Sequence, residues 1–314
     1  MAEPVVWNQL GPVFGDVIRQ AVADVNVIDI PIEPDEAPSP AGSILYAMPL
    51  HTIPQEQLAT KSVRWAAGVE WVHTASAGVD VYPQALFLDR IVTCSRGVMS
   101  VPIAEFVMAT MLAADKRLPE VWSPDMPSGD PGLGTLEGAT LGLIGLGSIG
   151  AAVAERALAF GMEILAARRT EQPSPVPGVT VAPLFEVTAR ADHLVVLAPA
   201  TPDTWHLVDD ALLAAVKPGV HLVNVARGTL VDQDALRRAL DDGRVRLASL
   251  DVTDPEPLPV GHALLGHPNV RISPHVSWSA PGMLRRSVDR FIDNLRRYLA
   301  GEPLLGIVDP GAGY

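Results

Sequence analysis

Three residues with complementary chemistry follow short apolar segments in the second half of the chain: Arg227, Glu256 and His275. A guanidinium can bind a carboxylate through two parallel hydrogen bonds. An imidazole can donate a proton to a carbonyl oxygen while a hydride is added to the carbonyl carbon. All three residues lie downstream of a glycine-rich segment that is typical of nucleotide binding. This order indicates a reductase that uses a nicotinamide cofactor.

The glycine-rich segment has the GxGxxG pattern, with Gly145, Gly147 and Gly150. An apolar run precedes it and a helical pattern follows it, as a strand, turn and helix require. The first glycine permits the tight turn, the second lets a pyrophosphate approach the backbone, and the third lets the helix pack on the strand. Ser148 and Ile149 would then lie at the helix N-terminus, which attracts phosphate. The alternative is a glycine-rich turn without a ligand.

The end of the next predicted strand bears on the choice of cofactor. NAD-dependent proteins have an acidic residue about 20 positions after the glycines, where it binds the ribose 2′-hydroxyl. This chain has Arg168, Arg169 and Thr170 there. Two guanidinium groups and a hydroxyl would bind a 2′-phosphate, which a carboxylate would repel. The sequence therefore predicts NADP(H), with NAD(H) as the second choice; solvated surface arginines are the alternative interpretation.

The composition limits the class of protein. The 314 residues are 48% hydrophobic, enough for a large core and more readily two domains than one. A formal net charge of -13 argues against a nucleic-acid or anionic-membrane partner. The single cysteine, Cys94, excludes an internal disulfide and fits a reducing compartment. The sequence shows no secretory leader and no apolar run of membrane-spanning length, so we predict a cytoplasmic protein.

Apolar segments that alternate with helical patterns predict parallel strands. The first hundred residues alternate in this way. Beyond the glycines, similar runs recur at 141–144, 164–167, 194–197, 222–225 and 247–250. Such runs suit strands that are buried on both faces. Long helices are predicted to begin near Ser100 and Pro281. No group of residues in the sequence has the spacing of metal ligands, so no metal site is predicted.

Several motifs in one order resemble those of the D-isomer-specific 2-hydroxyacid dehydrogenase family, which includes glyoxylate/hydroxypyruvate reductases. The resemblance covers nearly the whole chain. Its strongest motifs are GLGSIG at 145–150, APATPDT at 198–204, NVARG at 224–228, DV at 251–252 with EPLP at 256–259, and PH at 274–275. Two weaker matches are SAGVD at 76–80 and IAEF at 103–106. Together these motifs are far more specific than any one of them.

The resemblance implies a role for each catalytic candidate. Arg227 would bind the carboxylate and carbonyl of a 2-oxo acid, and the backbone amides of Ala77 and Gly78 would bind the same carboxylate. His275 would donate the proton to the carbonyl oxygen. Glu256 would fix the tautomer of that imidazole and favour its protonated form. The structural alternatives are an ion pair for the arginine, a loop carboxylate for the glutamate and a strand-end position for the histidine.

The resemblance also implies the cofactor contacts. Asp251 would bind the nicotinamide carboxamide. Further cofactor contacts are expected from Ala198, Pro199, Thr204, Val225, Ala226, Arg227 and His275. Trp278 stands where many members of the family have a small residue. Its indole would either restrict the substrate side chain or pack against the hinge between domains.

The implied architecture has two doubly wound α/β domains with parallel sheets. A flavodoxin-like substrate domain of residues 1–99 and 282–314 would be interrupted by a Rossmann domain of residues 100–281, with the active site in the cleft between them. The implied assembly is a homodimer. The implied function is hydride transfer between NADP(H) and a small 2-oxo or D-2-hydroxy acid. The alternative is a nucleotide-sensing scaffold resembling the C-terminal-binding co-repressors, which share this fold.

Overall fold

Two compact units divide the chain in the computed structural model. The first unit comprises Met1–Met99 and Ala280–Tyr314, and the second comprises Ser100–Ser279. The structure describes residues 4–32, 41–50, 63–126, 129–169 and 172–309. Each unit is built around one sheet, and all pairs of neighbouring named strands are parallel.

The regular elements of the described residues follow in chain order. The strands are β1 Val5–Asn8, β2 Asn26–Asp29, β3 Ser43–Ala47, β4 Val69–Thr74, β5 Ile91–Cys94, β6 Thr140–Ile144, β7 Glu163–Ala167, β8 Val179–Val181, β9 His193–Val196, β10 Val220–Asn224, β11 Val245–Leu250 and β12 Val270–Ile272. The helices are α1 Pro12–Ala21, α2 Ser100–Asp115, α3 Leu118–Val121, α4 Ser148–Ala159, α5 Leu184–Arg190, α6 Asp210–Ala214, α7 Gln233–Asp241 and α8 Met283–Ala300. Short 3-10 turns occupy Arg64–Ala66, Gln84–Leu86, Pro202–Thr204 and Gly228–Leu230.

The strand orders identify both sheets. The first unit has the order β2-β1-β3-β4-β5, which is the flavodoxin-like arrangement. The second unit has the order β12-β11-β10-β9-β6-β7-β8. Six of these strands follow the Rossmann order, and β12 extends the sheet at one edge. The predicted fold class, two doubly wound parallel-sheet units, is confirmed.

Burial explains why the central strands form. Every residue of β3, β6 and β10 is buried, as expected for parallel strands covered on both faces. Helix α7 contributes Leu236 and Leu240 to the core of the second unit, where they are 0% and 3% exposed. Burial of one leucine side chain stabilises the fold by about 2 kcal/mol. In the first unit, α8 packs Phe291 at 0% exposure against the face of the sheet that contains Tyr46.

Doubly wound sheets place their functional residues at the carboxyl ends of the strands. In the second unit the chain order reverses between β6 and β9, which are neighbours in the sheet. The loops that follow β6, β7, β9, β10 and β11 therefore meet at one edge of the sheet, next to this switch point.

Within the described part of the chain, no helix is both long enough and apolar enough to cross a membrane.

Candidate active site

His275 and Glu256 form a hydrogen-bonded pair. Nδ1 of His275 lies 2.8 Å from Oε1 of Glu256, and the two side chains are 28% and 39% exposed. Burial opposes the charged form of Glu256, but the hydrogen bond and charge of His275 outweigh it and hold the pKa of the carboxyl below its ordinary value. The charge of Arg227 lowers the pKa of this carboxyl further. The three predicted catalytic residues therefore interact electrostatically.

The backbone of His275 is held in an unusual conformation. Its φ is 52°, in the left-handed region that few residues other than glycine adopt. The carboxylate of Asp251, 1% exposed, binds both sides of this residue. Its Oδ1 accepts from Ser273 Oγ at 2.5 Å and from the amide of Val276 at 3.0 Å, and its Oδ2 accepts from the amide of Ser277 at 2.9 Å. Asp251 thus stabilises the turn that presents the imidazole.

Arg227 lies in the turn that follows β10. Asn224, the last residue of that strand, donates from Nδ2 to the carbonyl of Arg227 at 2.8 Å and accepts from the amide of Ala226 at 3.1 Å. Gly228 follows, and a Cβ added there would lie 2.0 Å from the carbonyl carbon of Thr253. This close approach brings the arginine turn against the segment that leads to Glu256. Glycine is therefore required next to the arginine.

We expect Gly228→Ala to lower the free energy of unfolding by about 3 kcal/mol, because the new methyl overlaps backbone that cannot move away like a flexible side chain. Gly266→Ala is the matched control, since a Cβ at Gly266 meets nothing within 4 Å and its φ is not positive. Urea unfolding of both variants measures the difference. Equal midpoints for the two variants would show that the Gly228 contact is unimportant.

The dinucleotide loop follows β6. Gly145 has a φ of 109°, and a Cβ there would lie 2.8 Å from the carbonyl carbon of Leu197. A Cβ at Gly150 would lie 2.7 Å from the carbonyl oxygen of Gly145. At Gly147, by contrast, a Cβ would meet nothing within 4 Å. Packing explains the first and third glycines, and the space beside Gly147 suits a ligand that approaches the backbone.

Helix α4 begins directly after this loop, at Ser148. No side chain caps its N-terminal amide groups, although the first amides of a helix have no acceptor within the helix. Such a terminus attracts phosphate through these amides and through the helix dipole. The loop and the helix terminus therefore fit the pyrophosphate of a dinucleotide.

The predicted 2′-phosphate residues follow β7. Arg168 is half-buried and Arg169 is exposed. Arg168 Nη1 donates to the carbonyl of Pro173 at 3.3 Å. Thr170 lies outside the described residues. The arginines thus occupy the strand end at which dinucleotide-binding proteins bind the adenosine ribose.

The remaining cofactor candidates lie after β9 and β10. Ala198 and Pro199 follow β9, and Val225 and Ala226 follow β10. Thr204 Oγ1 donates to the carbonyl of Pro199 at 2.7 Å. The hydroxyl of Thr204 thus stabilises the turn after β9, a structural contribution that the motif alone did not reveal.

The substrate candidates of the first unit follow β4. Ala77 and Gly78 are half-buried. Ser76 Oγ donates to the carbonyl of Gly78 at 2.7 Å, which closes a tight turn. Among the residues that the structure describes, the backbone N–H groups of Ala77 and Gly78 have no acceptor. Two such adjacent amides suit an anion.

Trp278 is hydrogen-bonded to the histidine turn. Its Nε1 donates to the carbonyl oxygen of His275 at 2.9 Å, and the residue is 38% exposed. The indole therefore holds the turn through its N–H group.

In the described part of the chain, no group of three His, Cys, Asp or Glu residues could hold a metal ion.

Sequence motifs did not indicate which residues hold the turns that carry Arg227 and His275. Ser273 and Asn224 are the clearest examples, since each donates a side-chain hydrogen bond within one of these turns. Their one signal in the sequence is a polar residue at the end of an apolar strand. That signal is too common to distinguish these residues from other strand ends.

Comparisons with known proteins agree with this geometry. Residues 108–277 match the model of the NAD-binding domain of D-isomer specific 2-hydroxyacid dehydrogenases. A glyoxylate reductase of Thermofilum pendens is 32% identical over 254 residues, which cover 76% of this chain and 74% of the relative. A glyoxylate/hydroxypyruvate reductase B of Pectobacterium atrosepticum is 33% identical over 251 residues, covering 76% and 78% of the two chains. The crystal structure of a D-isomer specific 2-hydroxyacid dehydrogenase from Xanthobacter autotrophicus, in complex with NADPH and MES, has a TM-score of 0.82 and 29% identity, with both chains fully covered.

The Rossmann sheet and the dinucleotide loop define a dinucleotide-binding protein, and the relatives place it among the NAD(P)-dependent oxidoreductases. Within that class, the chain belongs to the D-isomer specific 2-hydroxyacid dehydrogenase family. The predicted family and enzyme class are confirmed. None of these matches specifically supports the nucleotide-sensing scaffold.

Proposed function

We propose that the protein reduces a small 2-oxo acid, such as glyoxylate or hydroxypyruvate, to the D-2-hydroxy acid with NADPH. The hydrogen bond between His275 and Glu256, close enough to Arg227 for its charge to act on the glutamate, is the observation that most supports this activity. The names of the two reductase relatives support the substrate class. Purified protein should oxidise NADPH when glyoxylate or hydroxypyruvate is added, and bound NADPH without turnover on any 2-oxo acid would refute the proposal.

In the proposed reaction, Arg227 binds the substrate through its guanidinium. Two parallel hydrogen bonds to the carboxylate and the carbonyl oxygen would fix the orientation of the carbonyl. The amides of Ala77 and Gly78 bind the substrate carboxylate as well. The guanidinium neutralises an anion and the amides donate hydrogen bonds to it, so both contacts select acids over neutral carbonyl compounds.

His275 is the proposed proton donor. The bond from Nδ1 to Glu256 leaves Nε2 as the nitrogen that transfers the proton. Reduced nicotinamide, held by the cofactor contacts of the second unit, would supply the hydride for the carbonyl carbon. The proton passes from Nε2 to the carbonyl oxygen, which yields the hydroxyl, and the Glu256 carboxylate stabilises the imidazolium before the transfer.

The cofactor contacts are proposed from the strand ends of the second unit. Gly147 and the amides of Ser148 and Ile149 bind the pyrophosphate. The carboxylate of Asp251 accepts one described hydrogen bond at Oδ2, so this oxygen retains a lone pair for the nicotinamide carboxamide. The other proposed contacts are Gly145, Gly150, Ala198, Pro199, Thr204, Val225, Ala226, Arg227 and His275.

NADPH is the preferred cofactor in this proposal, because Arg168 and Arg169 replace the usual acidic residue. A hydrogen bond to a charged group contributes about 1.5 to 3 kcal/mol. The double variant Arg168→Asp/Arg169→Ala should therefore shift the ratio of kcat/KM values about 100-fold or more from NADPH towards NADH. Arg237→Ala, which removes a half-buried arginine of α7 that pairs with Asp241, is the control. A wild-type protein with equal efficiency for both cofactors would contradict the preference.

For Trp278 we propose a positioning role, since its indole holds the carbonyl of His275. Trp278→Phe keeps an aromatic ring but removes the N–H donor together with part of the bicyclic indole. We expect kcat to fall about fivefold, the loss of one hydrogen bond, with an unchanged preference between glyoxylate and phenylpyruvate. If Trp278→Phe or Trp278→Ala instead favoured the larger acid, the indole would contact the substrate side chain.

The family resemblance further supports a homodimer in the cytoplasm. Light scattering of the purified protein during size-exclusion chromatography measures its mass directly. A monomer mass across the working concentration range would contradict the dimer.

A further inference from the structure

A chain of buried polar side chains lies inside the first unit, beside the turn at 76–78. All its members are 0% or 1% exposed. They are Tyr46, Trp71, His73, Thr93, Ser95 and Ser287. Buried polar groups destabilise a fold unless they are hydrogen-bonded, and each member of this buried polar chain has a partner.

The first three links join β4 to β5 and the residue after it, and the fourth reaches helix α8. Trp71 Nε1 donates to Thr93 Oγ1 at 2.9 Å. Thr93 Oγ1 lies 2.7 Å from Nδ1 of His73. The other ring nitrogen of His73, Nε2, lies 3.3 Å from Ser95 Oγ. Ser95 Oγ lies 2.8 Å from Ser287 Oγ, on helix α8.

Ser287 ends the buried polar chain. Its hydroxyl donates to the carbonyl oxygen of Ala75 at 3.0 Å and lies 2.8 Å from the hydroxyl of Tyr46. In the described part of the chain, the Ala75 carbonyl accepts from no other group. Ala75 is itself 7% exposed, so water cannot readily replace this donor.

The bond that leaves the buried polar chain towards the turn has a defined direction. An indole only donates, so Thr93 accepts from Trp71. Burial lowers the pKa of His73 to about 3, so its ring is neutral and carries one N–H group. Ser95 Oγ donates to the carbonyl of Thr74 at 3.2 Å and also lies within hydrogen-bond distance of His73 and Ser287. Ser287 donates its proton to the carbonyl of Ala75.

The direction matters because the next peptides form the carboxylate turn. The Ser76 carbonyl accepts from Thr74 Oγ1 at 3.1 Å and from the amide of Ser95 at 3.2 Å. A peptide is planar, so the orientation of this carbonyl also sets the direction of the Ala77 N–H. Ser95 and Ser287 therefore fix two consecutive peptides of the turn.

We propose that Ser287 is a positioning residue for the substrate carboxylate, because its hydroxyl holds the Ala75 carbonyl and so orients the amides of Ala77 and Gly78. This inference rests on the proposed function, which takes those amides as carboxylate ligands. Ser287 is 0% exposed. It acts on the substrate only through the turn.

Ser287→Ala removes the donor to Ala75 and tests the inference. We expect KM for glyoxylate to rise about tenfold, as the loss of about one hydrogen bond to the carboxylate would give. The carboxylate is bound equally in the ground and transition states, so kcat should stay within about threefold of the wild-type value. The Kd for NADPH should not change.

Tyr46→Phe is the matched control. It removes a hydroxyl from the same buried cluster but leaves the links from Ser95 to Ser287 and from Ser287 to Ala75. We expect both variants to lower Tm, and only Ser287→Ala to raise KM. An unchanged KM in Ser287→Ala, or an equal rise in Tyr46→Phe, would overturn the positioning role.

Two further measurements keep the test decisive. If Ser287→Ala does not fold, Ser287→Cys replaces the hydroxyl that bonds to Ala75 with a weak S–H donor and should also raise KM. If the wild-type protein reduces no 2-oxo acid, the proposed function fails, and calorimetric titration with oxalate in the presence of NADP+ tests the turn alone. Oxalate should bind Ser287→Ala about tenfold more weakly than the wild type; equal binding, or none to the wild type, would overturn the inference.

Discussion

His275→Ala should lower kcat for glyoxylate reduction about 100-fold or more, the loss expected when a general acid is removed. The Kd for NADPH should change by less than about threefold, because the imidazole is only one of many proposed cofactor contacts. Stopped-flow measurement of NADPH oxidation and a fluorescence titration of NADPH give the two values. A fall in kcat of less than about tenfold would contradict the role of His275 as the acid.

His275→Asn separates the chemistry from the backbone conformation. Asparagine tolerates a positive φ better than most residues, so this variant should keep the turn at a φ of 52°. It cannot transfer a proton as imidazole does. We therefore expect the same loss of kcat with a smaller loss of Tm than in His275→Ala. Normal activity in the asparagine variant would exclude acid catalysis by this residue.

Arg227→Gln should lower kcat/KM for glyoxylate by about two to three orders of magnitude. Removing one partner of a hydrogen-bonded charge pair costs about 2 to 5 kcal/mol, and each 1.4 kcal/mol is about tenfold. Arg227→Lys keeps the charge but cannot make two parallel bonds, so its loss should lie between those of the wild type and the glutamine variant. Steady-state kinetics measure all three.

Arg237→Ala is the control for the loss of one positive charge from the same unit, and it should leave kcat/KM within about twofold of the wild type.

The charge of Arg227 also affects the pKa of Glu256. Burial raises this pKa, the hydrogen bond and charge of His275 lower it, and the charge of Arg227 lowers it further. Arg227→Gln should therefore move the pKa of Glu256 upwards, which carbon-detected NMR of that carboxyl can follow. Equal kinetics for the glutamine and lysine variants would contradict bidentate binding.

The sequence was sufficient for the fold class and for the presence of the central strands near the site. Apolar runs predicted β6, β7, β9, β10 and β11, because these strands are largely buried. Each predicted run begins one or two residues after the start of its strand. Strands β9 and β10 begin earlier and include His193 and His221, whose Nδ1 atoms lie 3.1 Å apart in the interior. A search for apolar residues cannot detect buried polar residues that form hydrogen bonds with each other.

Short edge strands also escaped prediction. Strands β8 and β12 have three residues each, and in each of them at least one residue is exposed. With one neighbour and little burial, such strands lack the apolar run that reveals a central strand. Residue types and motif order did indicate Arg227, Glu256 and His275. The contacts that hold them, from Asp251 and from the close approach of Gly228 to Thr253, depend on the tertiary fold.

The central claim is tested most directly by the product formed from hydroxypyruvate and NADPH. Purified protein should consume one NADPH for each hydroxypyruvate and release D-glycerate, which chiral chromatography distinguishes from the L-isomer. This result would establish the reaction, its cofactor and its stereochemistry together. Formation of L-glycerate, or failure to consume NADPH with hydroxypyruvate and with glyoxylate, would contradict the proposed function.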